Sequence, residues 1–121
     1  MKQILVVDDQ MLYLKSLELA LRKQYQVLTA SDYAQALEIL EKNDVSLALI
    51  DIRLDENDEK NIDGLKIVEW IKMNKPDITC FVMSAYREFS YAEQALNLGA
   101  RHFFKKPIDV AGLLAILEEK S

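Results

Sequence analysis

Short apolar runs alternate with longer segments of mixed polarity along the whole chain. The apolar runs lack the strict polar alternation of a half-exposed strand, which is typical of strands covered on both faces of a sheet. Five strands are predicted on this basis: Gln3–Val7, Tyr25–Thr29, Leu47–Ile50, Ile78–Met83 and His102–Lys105.

The segments that follow the apolar runs carry apolar residues at a helical period. The predicted helices are Met11–Arg22, Tyr33–Lys42, Leu65–Met73, Phe89–Leu98 and Val110–Glu119. Ser31 or Asp32 can cap the second helix and Asp109 the last, while Gly99 suits the stop of the fourth. The alternation predicts an α/β fold, a doubly wound five-stranded parallel sheet with helices on both faces.

Length and composition restrict the class of protein. A chain of 121 residues, half of them hydrophobic, predicts a single domain over residues 1–121. The net charge of −5 argues against direct nucleic-acid binding, which normally needs a basic patch. No apolar stretch approaches the ~20 residues of a membrane helix, and the first run reads as a strand rather than a signal peptide. We therefore expect a cytoplasmic protein with no membrane contact. The one cysteine, Cys80, lies in an apolar run and is expected to be buried.

Acidic residues stand where two of the predicted strands stop. Asp8 and Asp9 follow the first strand, and Asp51 follows the third. Binding sites in parallel α/β sheets form at the carboxyl ends of strands, so the three carboxylates should meet at one edge. Their mutual repulsion would raise at least one pKa, and a cation such as Mg²⁺, which prefers hard oxygen ligands, would relieve it.

The other two strands at this edge end in a hydroxyl and a cation, Ser84 and Lys106. A phosphoryl group needs a nucleophilic oxygen, a metal to neutralise charge, and donors for its oxygens. Each motif alone has an ordinary explanation, since an Asp-Asp pair is often a turn or a helix cap. Their conjunction at successive strand ends favours a single site.

These motifs, taken in order, resemble those of the response-regulator receiver family. The resemblance covers the whole chain and rests on Asp8-Asp9, Asp51, Ser84-Ala85, Gly99-Ala100 and Lys106-Pro107. It implies a flavodoxin-like sheet of strand order 2-1-3-4-5 and a role in a two-component phosphorelay.

The resemblance also implies roles for the acidic residues. Asp51 would be the phosphoacceptor. Asp9 and Asp51 would ligate Mg²⁺, with Asp8 holding the ion through water and the backbone carbonyl of Arg53 as a further ligand.

The remaining implied roles concern the phosphoryl group and the partner. Ser84 and Lys106 would bind phosphoryl oxygens, and Ser84 with Phe103 would form the switch. The donor would be a phosphohistidine on a sensor histidine kinase or a histidine phosphotransfer protein. Such a domain is a signalling switch rather than a conventional enzyme, although it assists its own phosphorylation and dephosphorylation.

The chain departs from the family pattern after Asp51. The loop that leads to Gly64 lacks the usual proline and is longer by about five residues, a change that costs little chain entropy. Its middle, Asp55–Asn61, is acidic. The loop is either a tolerated surface insertion, which we favour, or a cover over the site that alters metal affinity or partner choice. The bulky Arg53 and Tyr86 could also shield an acyl phosphate from water.

The first and the last predicted helices carry residues that could contact a partner protein. The first has a predicted core stripe at Tyr13, Leu17, Ala20 and Leu21, and two further leucines, Leu12 and Leu19, lie off it. These two either belong to a kinase-docking surface, as the resemblance suggests, or pack against a neighbouring helix. The last helix lacks the arginines expected at the dimer face of DNA-binding relatives, so dimerisation stays open, as do the downstream target and any output domain.

Three other functions compete. An aspartyl-phosphate phosphatase or phosphotransferase of the haloacid dehalogenase type would need a second Asp where Arg53 stands. A flavodoxin-like cofactor binder would need a phosphate-cradling loop where Asp8 and Asp9 stand. A degenerate receiver could serve only as a protein-interaction module, but no acceptor-site residue is missing.

Overall fold

Strands and helices alternate throughout the part of the chain that the structure, a computed structural model, describes: residues 1–85 and 91–121. The strands are β1 (Gln3–Val7), β2 (Gln26–Ala30), β3 (Leu47–Asp51), β4 (Thr79–Ser84) and β5 (Phe103–Lys105). The helices are α1 (Met11–Leu21), α2 (Tyr33–Lys42), α3 (Asp63–Asn74), α4 (Ala92–Asn97) and α5 (Val110–Lys120).

The strands form one parallel sheet in the order β2-β1-β3-β4-β5, which confirms the predicted order. The register aligns the carboxyl ends of the central strands. Val7 lies beside Ile50, and Asp51 beside Met83. Residues that follow β1, β3, β4 and β5 therefore meet at one edge of the sheet.

Both faces of the sheet are buried, which explains the apolar runs without alternation. Leu5 and Val7 of β1 pack in one core cluster with α2, α3 and α4, whereas Ile4 and Val6 pack in another with α1 and α5. Cys80 is buried in the first cluster, and burial raises the pKa of its thiol to about 12. It is thus the small apolar residue that its sequence setting predicts.

The core stripe predicted for α1 is partly wrong. The buried residues are Leu14, Leu17 and Leu21, while Tyr13 and Ala20 are only partly buried. The helix is rotated so that its all-leucine face, with spacings of three and four residues, meets the sheet. Leu12 and Leu19 are exposed, at 90% and 48%, as their position off the stripe predicts.

Most predicted boundaries lie within one or two residues of those observed. β2 and β4 are shifted by one residue, and α3 begins at Asp63 rather than Leu65. The predicted start of α4, at Phe89, lies outside the described residues.

The predicted caps are also observed. Asp32 accepts a hydrogen bond from the Gln35 amide at 2.8 Å, and Asp109 accepts one from Gly112 at 3.1 Å. Gly99 has a φ of 101° after α4, a left-handed conformation that suits glycine. Within the described part of the chain, no helix has both the length and the apolar character needed to cross a membrane.

Candidate functional site

Three carboxylates meet at the carboxyl edge of the sheet, as the sequence predicts. Asp8 and Asp9 directly follow β1, and Asp51 is the last residue of β3. One oxygen from each of the three lies within 4.8 Å of the others. Asp8 is completely buried and Asp51 is 6% exposed, whereas Asp9 is partly exposed.

Lys106 neutralises part of this negative charge. Its Nζ lies 2.7 Å from Asp8 Oδ2 and 3.3 Å from Asp51 Oδ2, so one ammonium group bridges two buried carboxylates. Asp8 Oδ1 accepts a further hydrogen bond from the Gln10 amide at 2.9 Å. The peptide bond between Lys106 and Pro107 is cis.

Tyr13 supports Lys106, a role that the sequence analysis missed. The Lys106 ammonium lies 4.5 Å from the centroid of the Tyr13 ring, within the range of a cation–π contact. The Tyr13 hydroxyl accepts a hydrogen bond from the Ile108 amide at 3.2 Å, two residues beyond the lysine. The signal available in the sequence was a tyrosine, with a polar tip, on an otherwise leucine-rich helix face.

Burial and like charge perturb the protonation of the site. Desolvation raises the pKa of Asp51 from 3.8 to about 8; Lys106 opposes the shift, and the charge of Asp8 adds to it. Burial alone would lower the pKa of Lys106, but Asp51 and Asp8 outweigh it, so this pKa is raised. The surroundings of Lys106 therefore favour its charged form. The carboxylates that face it repel each other, and binding a proton or a cation relieves this repulsion.

Asp9 has a different environment from its two partners. Desolvation raises its pKa, a hydrogen bond from the Glu56 amide opposes the shift, and the charge of Asp8 reinforces it. This hydrogen bond measures 2.8 Å and joins Asp9 Oδ2 to the loop between β3 and α3. The long loop therefore contacts the acidic cluster directly. This contact favours the interpretation that the loop covers the site, and not the interpretation that it is only a tolerated surface insertion.

Ser84 and Arg53 lie at the same edge of the sheet, whereas Phe103 lies two residues before the end of its strand. Ser84 ends β4 and is completely buried, with its hydroxyl 2.9 Å from the carbonyl oxygen of Ala85. Phe103 begins β5 beside Val82 and is partly buried. The side chain of Arg53 donates to carbonyl groups of its own loop, those of Asp55 and Glu56. Tyr86 lies outside the described residues.

Gly64 allows α3 to approach the end of β3 closely. Its amide donates to the Ile52 carbonyl at 2.9 Å. A Cβ at this position would lie 2.0 Å from the Asp51 carbonyl oxygen and 2.6 Å from Ile52 Cα, both backbone atoms. A glycine in the first turn of a helix, where its propensity is poor, was the sequence signal for such an approach.

The donor set fits a hard divalent cation. Carboxylate oxygens are the ligands that Mg²⁺ prefers, and Mg²⁺ usually keeps several waters and binds phosphate oxygens as well. Asp9 is the one partly exposed member of the cluster. When all three carboxylates are ionised, the single charge of Lys106 leaves a net charge of −2 in the cluster.

Lys106→Met is expected to lower the free energy of unfolding of the metal-free protein by about 3 kcal/mol near neutral pH. Methionine keeps the apolar stem but removes the cation that pairs with the fully buried Asp8 and contacts Asp51, and uncompensated buried charge is costly. Addition of Mg²⁺ should restore part of the loss. Denaturant unfolding with a chelator and with Mg²⁺ measures both effects.

Lys105→Met is the matched control, because Lys105 is the neighbouring lysine, exposed at the end of β5. It should change stability by less than about 1 kcal/mol, as exposed charges do. Equal midpoints for the wild-type protein and Lys106→Met would contradict an electrostatic role for Lys106.

Comparisons with known proteins agree with this geometry. The family model described as the response regulator receiver domain matches residues 4–118. The chain is 36% identical to the transcriptional regulatory protein ZraR of Escherichia coli K12 over 117 residues, which cover 96% of this chain and 25% of ZraR. It is 31% identical to sporulation initiation phosphotransferase F of Bacillus subtilis over 110 residues, covering 90% of this chain and 85% of that protein.

A solved structure has the same fold. The CheY-like response regulator receiver domain protein from Methanospirillum hungatei superposes with a TM-score of 0.88 at 28% identity, covering 99% of this chain and 93% of the other. The chain spans about a quarter of the length of the ZraR proteins, so the similarity concerns only that part of those regulators.

Proposed function

The chain belongs to the response regulator receiver family, and from this premise we propose that Asp51 is its phosphoacceptor. The observation that carries the proposal is the placement of the Asp51 carboxylate at the end of β3. There one of its oxygens lies within 4.8 Å of carboxylate oxygens of Asp8 and Asp9, and Oδ2 lies 3.3 Å from the Lys106 ammonium. This is a nucleophilic oxygen held beside both a potential metal site and a fixed cation.

The proposed donor is a phosphohistidine on a sensor histidine kinase or a histidine phosphotransfer protein. An Asp51 oxygen attacks phosphorus as the phosphorus–nitrogen bond breaks, and the imidazole leaves with the bonding electron pair and takes up a proton. The product is an acyl phosphate on Asp51. The domain acts as a signalling switch within the cytoplasm rather than as a conventional enzyme.

We propose that Mg²⁺ is the cofactor and that Asp8, Asp9, Asp51 and the Arg53 carbonyl would hold it, Asp8 through water. The ion would neutralise the negative charge that gathers when a phosphoryl group approaches three carboxylates. The hard oxygen donors and their spacing within 4.8 Å support this assignment.

Ser84 and Lys106 are proposed to bind the phosphoryl oxygens. Lys106 would exchange one carboxylate contact for a phosphoryl contact, and the Ser84 hydroxyl would turn from its local acceptor, the Ala85 carbonyl. Phe103, which is partly buried on the neighbouring strand β5, is proposed to rearrange together with Ser84. Phosphorylation then shifts the population between two states through contacts that only the phosphorylated form makes.

The proposal is tested by intact-mass spectrometry after incubation with a small-molecule phosphodonor, with Mg²⁺ or with a chelator. The expected result is a Mg²⁺-dependent gain of one phosphoryl group. Borohydride reduction should then convert the modified residue to homoserine, and peptide mapping should place it at position 51. A phosphoryl group at another residue, or no gain with either the small donor or a phosphorylated histidine kinase, would contradict the proposal.

A further inference from the structure

The loop between β3 and α3, residues 52–62, is tied down by its own side chains. Asn61 Oδ1 accepts hydrogen bonds from the Leu54 and Asp63 amides, each at 3.0 Å, which closes the base of the loop. Leu54 is 7% exposed and packs in the core, so it anchors the loop to the domain. The tip of the loop, residues 55–60, is exposed and largely acidic. It has a defined position because the base of the loop is closed and anchored.

Arg53 holds the tip from within the loop. Its Nε donates to the Asp55 carbonyl at 3.1 Å, and another guanidinium nitrogen donates to the Glu56 carbonyl. Two carbonyls of successive residues are thus bound by one planar group, which fixes the peptide planes between them. The Asp55 carbonyl and the Glu56 N–H belong to the same planar peptide group. Holding the carbonyl therefore sets the direction in which the Glu56 N–H points.

The Glu56 amide points at the acidic cluster. It donates to Asp9 Oδ2 at 2.8 Å across a sequence separation of 47 residues. Asp9 is the most exposed of the three carboxylates, and this bond restricts the rotation that its exposure would otherwise allow. A carboxylate has lone pairs for about four contacts, so the bond leaves Asp9 able to bind a cation.

We infer that this loop is a positioning element for the metal site: Arg53 holds the Glu56 amide, which in turn orients Asp9 toward Asp8 and Asp51. The inference rests on the proposed function only in taking Asp9 as a metal ligand. Hydrogen bonds that orient ligating carboxylates typically contribute 10- to 100-fold to metal affinity. The added loop length thus raises the affinity of the unphosphorylated protein for the cation.

The test is the Mg²⁺ dissociation constant, measured by titrating MgCl₂ into the isotope-labelled, unphosphorylated protein and following backbone amide NMR signals. Glu56→Pro removes the donating N–H, and Arg53→Ala removes the group that holds the tip. Both are expected to weaken Mg²⁺ binding about 10-fold. The spectra also show whether each variant keeps the fold.

Two changes at exposed Lys60 serve as matched controls. Lys60→Ala removes one positive charge from the same loop, as Arg53→Ala does. Lys60→Pro removes an amide that donates to Asp58 Oδ1 within the loop rather than to Asp9. Both should bind Mg²⁺ within about twofold of the wild-type protein, a difference under ~0.5 kcal/mol.

The outcomes separate the inference from the proposed function. Folded Glu56→Pro and Arg53→Ala proteins that bind Mg²⁺ as tightly as the wild type would overturn the inference and leave the phosphoacceptor proposal intact. Tighter binding would overturn it as well, by showing that the loop competes with the ion. A wild-type protein that does not bind Mg²⁺ would overturn both the inference and the assigned cofactor.

Discussion

Asp51→Asn is expected to abolish the Mg²⁺-dependent gain of a phosphoryl group and to stabilise the metal-free protein near pH 8. The first effect follows because an amide oxygen is a far poorer nucleophile than a carboxylate. The second follows because the substitution removes a charge from a buried cluster in which three acids face one lysine.

The stabilising effect should depend on pH. The pKa of Asp51 is raised from 3.8 to about 8, so the folded protein keeps a proton that the unfolded chain has released. The stability from this proton is fully present below about pH 4 and is lost as pH rises through about 8. The advantage of Asp51→Asn should therefore be about 3–4 kcal/mol larger near pH 8 than near pH 5.

Denaturant unfolding in the presence of a chelator, at both pH values, measures this difference, and intact-mass spectrometry measures the phosphoryl gain. Asp77→Asn is the control for phosphorylation, because Asp77 is exposed and lies before β4, at the opposite edge of the sheet. It should accept a phosphoryl group as the wild-type protein does. An Asp51→Asn protein that still gains the group, or that is less stable than wild type near pH 8, would refute this account.

Gly64→Ala is expected to lower the free energy of unfolding by about 3 kcal/mol or more, a large part of the 5–15 kcal/mol typical of a whole domain. The added methyl group would lie 2.0 Å from the Asp51 carbonyl oxygen, so either α3 or the end of β3 must move. Because Asp51 is the residue displaced, the rate of phosphorylation should fall in the protein that remains folded.

Gly112→Ala is the matched control for this substitution. The nearest atom to an added Cβ there is the end of the Asp109 side chain, at 3.0 Å, which can move. Alanine is favoured over glycine within a helix by about 1 kcal/mol, so the net change should be small. Thermal and denaturant unfolding of both variants give the comparison. Similar stabilities for Gly64→Ala and the wild-type protein would show that the contact is readily relieved.

The site links stability and function through the same charges. Asp8 and Asp51 are buried where one lysine only partly compensates them, and this is the arrangement in which an added cation or an added phosphoryl group has the largest effect. A site with fully paired charges would be more stable and would respond less. The cost in stability and the capacity to respond thus have the same physical origin.

The sequence by itself determined the fold and which residues come together at the carboxyl edge of the sheet. Apolar runs without alternation favour strands covered on both faces, and their regular separation by helices indicates a parallel sheet. Parallel connections bring the carboxyl ends of the strands to one edge, so Asp8, Asp9, Asp51, Ser84 and Lys106 could be placed together without coordinates. These are properties of local pattern and chain direction, which a sequence expresses directly.

Only the tertiary structure decided how the site is supported. The sequence predicted Tyr13 as a core residue; in the structure it is partly buried against the core, and its ring also faces the Lys106 ammonium. Nothing in the loop's acidic composition indicated that the Glu56 backbone amide would reach Asp9. Such contacts depend on the rotation of a helix about its axis and on the path of a loop. Both are set by packing between residues far apart in the chain, so local pattern does not encode them.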